Sequence, residues 1–239
     1  MRQISFEKDV NIHADGSCLV KFGNTHVLCN ATVEARVPPW MRNSGRGWVT
    51  AEYGMLPGST GSRKRRDRGG SVDGRTIEIQ RLIARSLRAV VDTQALGEKL
   101  VTVDCDVLQA DGGTRTASIC GGWLALYDCL KVMEKQELLF KWPLTDQLAA
   151  LSVGMVGDDA LLDLCYEEDS RARADVNVVM TGSGNYVEIQ GTGEGASFTP
   201  NELQQMLGLA KTGIGSIVAA QKESLEKDGD QGSRIGSAG

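Results

Sequence analysis

The stretch Asp104-Cys-Asp-Val-Leu-Gln-Ala-Asp-Gly-Gly-Thr-Arg-Thr-Ala-Ser118 joins a strand end, a glycine turn and a helix start around one arginine, Arg115. Apolar side chains at 101, 103, 105 and 107 repeat with the period of a strand over 100–108. Asp111-Gly-Gly113 interrupts that pattern, and Ile119, Trp123, Leu126 and Leu130 resume it at helical spacing over 114–132. Gly113, Thr114 and Arg115 therefore fall at a helix N-terminus, where the first backbone N–H groups lack intrahelical partners and the macrodipole is positive. The glycines let a ligand approach the backbone, Thr114 adds a hydroxyl, and Arg115 adds a planar fork suited to phosphate. Two readings fit these residues: an oxyanion site, or a plain N-cap with Arg115 paired to a neighbouring carboxylate. A Walker phosphate loop is excluded, because Gly-Lys-Ser/Thr is missing.

The 239 residues suffice for a substantial core, and 41% apolar with 24% charged content is ordinary for a folded domain. No apolar run approaches the length of a membrane span, and the start Met1-Arg-Gln-Ile-Ser-Phe-Glu-Lys lacks the apolar region of a signal peptide. The expected location is the cytoplasm, with no membrane partner. The six cysteines form no Cys-x-x-Cys pair, and most sit in apolar patterns where a reduced thiol is a small core residue. Zinc and disulfides are not expected. His13 and His26 lie in no metal-ligand spacing, so histidine acid–base chemistry is not expected either.

The net charge of −5 argues against a nucleic-acid binder until its distribution is considered. Arg63-Lys64-Arg65-Arg66-Asp67-Arg68 places five cations in six positions, between Gly58-Ser-Thr-Gly-Ser62 and Gly69-Gly-Ser71. Such a loop can follow a phosphate backbone without reading bases, and it can equally be a solvated loop with no partner. Acidic charge gathers at Glu167-Glu-Asp169 and near the C-terminus.

In chain order, residues 2–6, 17–22 and 25–33 read as strands, the last two joined by a Gly23-Asn24 turn. The prolines of Arg36-Val-Pro-Pro-Trp40 keep that segment out of a sheet centre. Residues 48–56 read as a strand leading into the basic loop, and 76–91 as an amphipathic helix opened by Gly74-Arg75. A cation at a helix N-terminus gains nothing from the dipole, so Arg75 reads as an anion ligand. Arg81, Arg85 and Arg88 read as interface or salt-bridge residues. Beyond a connector at 138–143, residues 148–156, 160–166, 174–180 and 186–190 read as strands. Thr199-Pro-Asn-Glu202 has the capping pattern that starts a closing helix over 199–224. Each half thus reads as strands followed by helix, without the alternation of a doubly wound sheet, which gives an α+β chain of two pseudo-repeated lobes. The polar, glycine-rich segment 226–239 is expected to be disordered.

Asp169 and Asp175 are placed by this reading at the end of one strand and the start of the next, across a short turn. Their carboxylates could converge on a hard cation such as Mg2+. The competing reading has Asp169 capping the turn and Asp175 paired with an arginine.

Four segments resemble the ribonuclease PH family: Gly47-Trp-Val-Thr-Ala-Glu-Tyr-Gly-Met-Leu-Pro57, the helix from Gly74 to Asp92, the stretch from Asp104 to Ser118, and Asp175-Val-Asn-Val-Val-Met-Thr181. The resemblance extends from Arg2 to about Lys222 and includes Val187-Glu-Ile-Gln-Gly-Thr-Gly-Glu194. It implies a two-lobed fold of the ribosomal protein S5 domain 2 type, with residues 1–225 as one catalytic domain whose lobes span about 1–135 and 146–225. It also implies a phosphate-dependent 3′-to-5′ exoribonuclease that trims tRNA precursors, releases nucleoside diphosphates, and assembles as a homohexamer, a trimer of dimers. By the same resemblance, Arg75, Gly113, Thr114 and Arg115 bind inorganic phosphate, the co-substrate. Asp169 and Asp175 are then the catalytic or Mg2+-associated acids, and the run Arg63, Lys64, Arg65, Arg66 and Arg68 faces RNA. Against the family pattern, the chain starts at the segment after the usual N-terminal arm, which implies weaker RNA or ring contacts. Gly58 also replaces a common arginine, and Cys120 a threonine. Other readings are a catalytically silent RNA-binding ring subunit and a hydrolytic nuclease, which would release monophosphates.

Overall fold

The computed structural model describes residues 1–66 and 73–231, with side chains described as far as Glu226. Arg68 of the basic run and the tail residues 232–239 lie outside the described residues. Nine strands form two sheets among the described residues. The first sheet holds β1 (Ile4–Lys8), β2 (Gly16–Phe22), β3 (Thr25–Glu34), β4 (Trp48–Met55) and β5 (Leu100–Gln109), in the order β1-β2-β3-β5-β4. The second holds β6 (Leu148–Val156), β7 (Asp159–Leu162), β8 (Ala174–Thr181) and β9 (Tyr186–Gly193), in the order β7-β6-β8-β9, all antiparallel. The helices are α1 (Gly74–Arg88), α2 (Thr93–Leu96), α3 (Thr114–Lys135), α4 (Tyr166–Asp169) and α5 (Pro200–Gln231).

Alternation decides the faces of the first sheet. Val101, Val103, Cys105 and Val107 of β5 are buried, while the residues between them are partly exposed. Helix α3 is buried without a break from Thr116 to Leu126, because it is apolar on every side and packs both on β2 and β3 and on β6 of the other sheet. Its contact with the first sheet is too close for a side chain at one point. A Cβ on Gly121 would lie 2.6 Å from Val20 Cγ1 and 2.9 Å from Cys29 Sγ, so alanine there would force overpacking at about 1–3 kcal/mol. With α5 covering β6, β7 and β8, strand β6 is buried over Leu148–Met155 and reads as a continuous apolar run. Cys18, Cys29, Cys105, Cys120 and Cys129 belong to this core, where burial pushes the Cys120 thiol up to about 12.

Three expectations change. The first half does not run strands and then helix: β4 and β5 are parallel neighbours, and α1 is the crossover between them. The strand expected over 160–166 stops at Leu162, since Asp163 turns the chain with φ +62 and α4 follows. Asp169 therefore ends a short helix and not a strand. The closing helix runs on to Gln231, past its expected end, and starts with the reciprocal cap read from sequence: Thr199 N donates to Glu202 Oε2 at 2.6 Å, and Glu202 N donates to Thr199 Oγ1 at 3.3 Å.

Candidate active site

One cleft of about 370 Å³ opens where the N-termini of α1 and α3 meet the second sheet, and Arg75, Gly113, Thr114, Arg115, Asp169 and Asp175 all line it. Arg75 is the second residue of α1; Thr114 and Arg115 are the first two of α3. Gly112 and Gly113 have φ +74 and +65, the left-handed conformation that favours glycine, and this turn presents the start of α3 to the cleft. The turn is clamped from outside. Thr25 Oγ1 donates to Gly112 O at 2.6 Å and accepts from Asp111 N at 2.9 Å. Beyond Thr114, Tyr53 of β4 meets the Thr114 hydroxyl at 2.8 Å and fixes its position.

Arg115 satisfies part of both readings made from sequence. Its NH1 donates to Gln190 Oε1 at 3.0 Å and lies 3.6 Å from Glu78 Oε2, so a carboxylate is near, yet the guanidinium still lines the cleft. Gln190 is held by its own donation to Glu78 Oε1 at 2.9 Å. Two of the remaining arginines of α1 are structural: Arg85 pairs with Glu188, and Arg88 stacks 4.2 Å from the Trp48 ring centroid while donating to Val49 O at 2.7 Å; Arg81 is exposed.

The acidic side of the cleft is charged and poorly solvated. Burial, reinforced by the negative charge of Asp169, lifts Asp175 from 3.8 to about 6, against the opposing pull of Arg115 and Arg75. Burial also raises Asp169, with Arg75 opposing it most. Asp175 Oδ1 is buried without a hydrogen-bond partner in the protein. Such an oxygen is costly unless something else meets it, and displaced pKa values of this kind mark functional sites. No group of three or more His, Cys, Asp or Glu able to hold a metal is found among the described residues. Two carboxylates are nonetheless a sufficient protein share for Mg2+, which takes its other oxygens from water and substrate phosphate.

The sequence reading passed over Ser152 and Asn177, which face each other across β6 and β8, are almost fully buried, and line the cleft. A signal existed: Ser152 is the polar residue of an otherwise apolar buried strand, and Asn177 stands between the buried apolar residues Val176 and Val178. Of the basic run, Lys64 lines the cleft; Arg63, Arg65 and Arg66 are exposed.

Residues 1–131 match the 3′ exoribonuclease family, domain 1, and residues 146–213 match its domain 2. Ribonuclease PH of Mesorhizobium japonicum is 61% identical over 227 residues, covering 94% of this chain and 95% of that one; the Brucella ovis ribonuclease PH is 60% identical over the same shares. Among solved structures, rice Rrp46 superposes with a TM-score of 0.74 at 16% identity, covering 94% of this chain and 95% of that one. An archaeal exosome core superposes with a TM-score of 0.73 at 23% identity, covering 92% and 87%. At these identities the two structures establish the fold. Among the described residues no helix is long and apolar enough to cross a membrane.

Proposed function

The chain belongs to the ribonuclease PH family of 3′ exoribonucleases, and from that premise we propose that the cleft is its phosphorolytic centre. The enzyme is a phosphate-dependent 3′-to-5′ exoribonuclease that trims tRNA precursors and releases nucleoside diphosphates. The observation that carries the site assignment is the meeting of two arginines, a helix N-terminus and two carboxylates with raised pKa values in one cleft.

Arg75, Arg115, Thr114 and the first N–H groups of α3, reached past Gly113, hold inorganic phosphate beside the last phosphodiester of the RNA. A phosphate oxygen attacks the phosphorus of that linkage. The bond to the departing 3′ oxygen breaks, leaving a nucleoside diphosphate and an RNA one residue shorter with a free 3′-hydroxyl. No protein nucleophile is needed, so catalysis is positioning plus relief of the repulsion between two anions. Asp175 and Asp169 divide two tasks: holding a divalent cation such as Mg2+ and handling the proton of the departing oxygen. The unpartnered Asp175 Oδ1 supports the first task, and a carboxyl lifted to about 6 supports the second. A cation bound there supplies positive charge against the crowded phosphate oxygens. Because a phosphodiester is exchanged for a diphosphate, the reaction also runs backwards and adds nucleotides from nucleoside diphosphates.

Residues 1–225 act together as one catalytic unit in this reading, since the cleft draws on both sheets. The exposed cations Arg63, Lys64, Arg65 and Arg66 hold the body of the tRNA precursor by its phosphates. Family membership supports a cytoplasmic homohexamer, a trimer of dimers, as the working form.

The test is incubation with a tRNA carrying a short 3′ extension and Mg2+, with and without inorganic phosphate, followed by identification of the released nucleotide. Diphosphates that appear only with phosphate, and vanish in Arg115→Ala, are the expected result. Monophosphates in both reactions would overturn phosphorolysis, and RNA binding without release would point to a silent subunit.

A further inference from the structure

The cation-lined cleft has a neighbour that the phosphate chemistry leaves unused. A second cleft, of about 570 Å³, adjoins it and shares Thr60, Lys64, Ala110 and Tyr166 with it. The two differ in polarity. Arg75 and Arg115 belong to the first alone, whereas the second adds the amides Asn24 and Gln109 and the carboxylate Asp111. At their boundary stands Tyr166, the first residue of α4, which is 68% exposed.

The backbone of Tyr166 is anchored although the residue is largely exposed. Its backbone N–H donates to Asp111 Oδ1 at 3.1 Å; Asp111 Oδ2 accepts from Asn24 Nδ2 at 3.3 Å; Gln109 Nε2 donates to Asn24 O at 2.7 Å. This chain of bonds ties the start of α4 to the β2–β3 turn and to the end of β5, so the wall of the second cleft is built and not adventitious. A large exposed aromatic ring on an anchored backbone, beside a phosphate-type cleft, is the arrangement that binds a base by its face.

We propose that Tyr166 is a stacking platform for the base of the 3′-terminal nucleotide of the RNA, which lies in the second cleft while its phosphate lies in the first. The proposal rests on the phosphorolytic reading of the first cleft for its orientation. A nucleotide has one strongly anionic part and one flat, uncharged part; the two arginines belong to the first cleft alone, and the amides Asn24 and Gln109 to the second. Stacking accepts every base, because each has a π-face, as an enzyme that removes successive nucleotides requires.

The experiment compares the full chain with Tyr166→Ala and Tyr166→Phe. It measures binding of a short fluorescent RNA in the absence of phosphate, the RNA carrying either an ordinary or an abasic 3′-terminal nucleotide. Tyr166→Ala is expected to weaken binding of ordinary RNA about 5- to 150-fold, the span of a lost base–aromatic stack. Binding of the abasic RNA should be the same for the wild-type chain and Tyr166→Ala, while Tyr166→Phe should keep the discrimination between the two RNAs. Ordinary RNA bound equally by the wild-type chain and Tyr166→Ala would overturn the platform, as would equal losses for ordinary and abasic RNA. Diphosphate release is scored separately on the wild-type chain. Failure of release with the base effect intact sinks phosphorolysis and leaves the platform standing; release without a base effect does the reverse.

Discussion

Arg2 and Asp163 form a buried bidentate pair that joins the first residues of the chain to the second sheet beneath the anion turn. Arg2 Nε and NH2 donate to the two Asp163 carboxylate oxygens at 3.1 and 2.6 Å, and the Arg2 backbone N–H adds a third bond at 2.8 Å. The Asp163 side chain is wholly buried and that of Arg2 nearly so. Arg2 NH1 also donates to Asp111 O, and NH2 sits 3.0 Å from where a Cβ on Gly113 would be. The guanidinium thus props the turn that presents α3 to the cleft.

Removing one partner of such a pair strands the other in a poorly solvated place. Asp163→Asn should lower the unfolding free energy by about 3–5 kcal/mol, measured by urea titration. Arg2→Lys, which keeps charge but loses the fork, should raise the KM for phosphate more than it lowers kcat, because the turn and not the reacting atoms is disturbed. An unchanged phosphate KM would reduce the pair to a fold contact.

Asp175 opposes folding when ionised. Its pKa is raised from 3.8 to about 6 in the folded chain, so between those values the native state holds more of the proton than the unfolded one. Stability conferred by the aspartic acid therefore falls as pH rises through this window and stays low above it. Asp175→Asn should accordingly be more stable than the wild-type chain by about 1–3 kcal/mol at pH 8, with the advantage gone near pH 4. The same variant should release no diphosphate. Thermal melts across pH decide the first point, and a variant that melts no higher at pH 8 would contradict it.

Phosphate should protect the folded chain through Arg115. At a phosphate concentration about 100 times its Kd, the wild-type chain gains about 2.7 kcal/mol of unfolding free energy. Arg115→Ala should weaken phosphate binding about 10- to 150-fold, the worth of a charged hydrogen bond, and lose most of that protection together with diphosphate release. Melts with phosphate and with sulfate, read beside initial rates, separate a specific site from a salt effect.

The exposed cations should act on affinity and not on chemistry. Replacing Arg63, Arg65 and Arg66 together by alanine, and leaving the cleft-lining Lys64, should weaken tRNA binding at low salt and make the dependence of log K on log salt shallower by about 2. The rate of diphosphate release at saturating RNA should change far less. A salt slope equal to that of the wild-type chain would show that the loop is merely solvated.

Much of the architecture is legible in the sequence because it depends on local spacing. The alternation at 101, 103, 105 and 107 gave β5, the glycine pair gave the break, and Thr199 with Glu202 gave the start of α5. Arg75 could be singled out because its charge opposes the helix dipole at its own end of α1. Helix α4 escaped, since a single turn of four residues carries too little periodicity to separate it from a strand end. The β4–α1–β5 crossover escaped because alternation fixes which face of a strand is buried but not which strand it pairs with.

The sequence by itself determined the starts of the three long helices, the alternating faces of strands such as β5 and the residues chemically able to hold an anion. Which of them meet was decided only by the tertiary structure. Arg75 and Asp175 lie 100 positions apart, on a helix beside the first sheet and a strand of the second, and share a cleft because α3 packs against both sheets. Ser152 and Asn177 reach that cleft through cross-strand register, and Arg2 reaches Asp163 across 161 positions through burial. Such long-range pairings are set by how apolar faces close upon one another, and no window of sequence contains both partners.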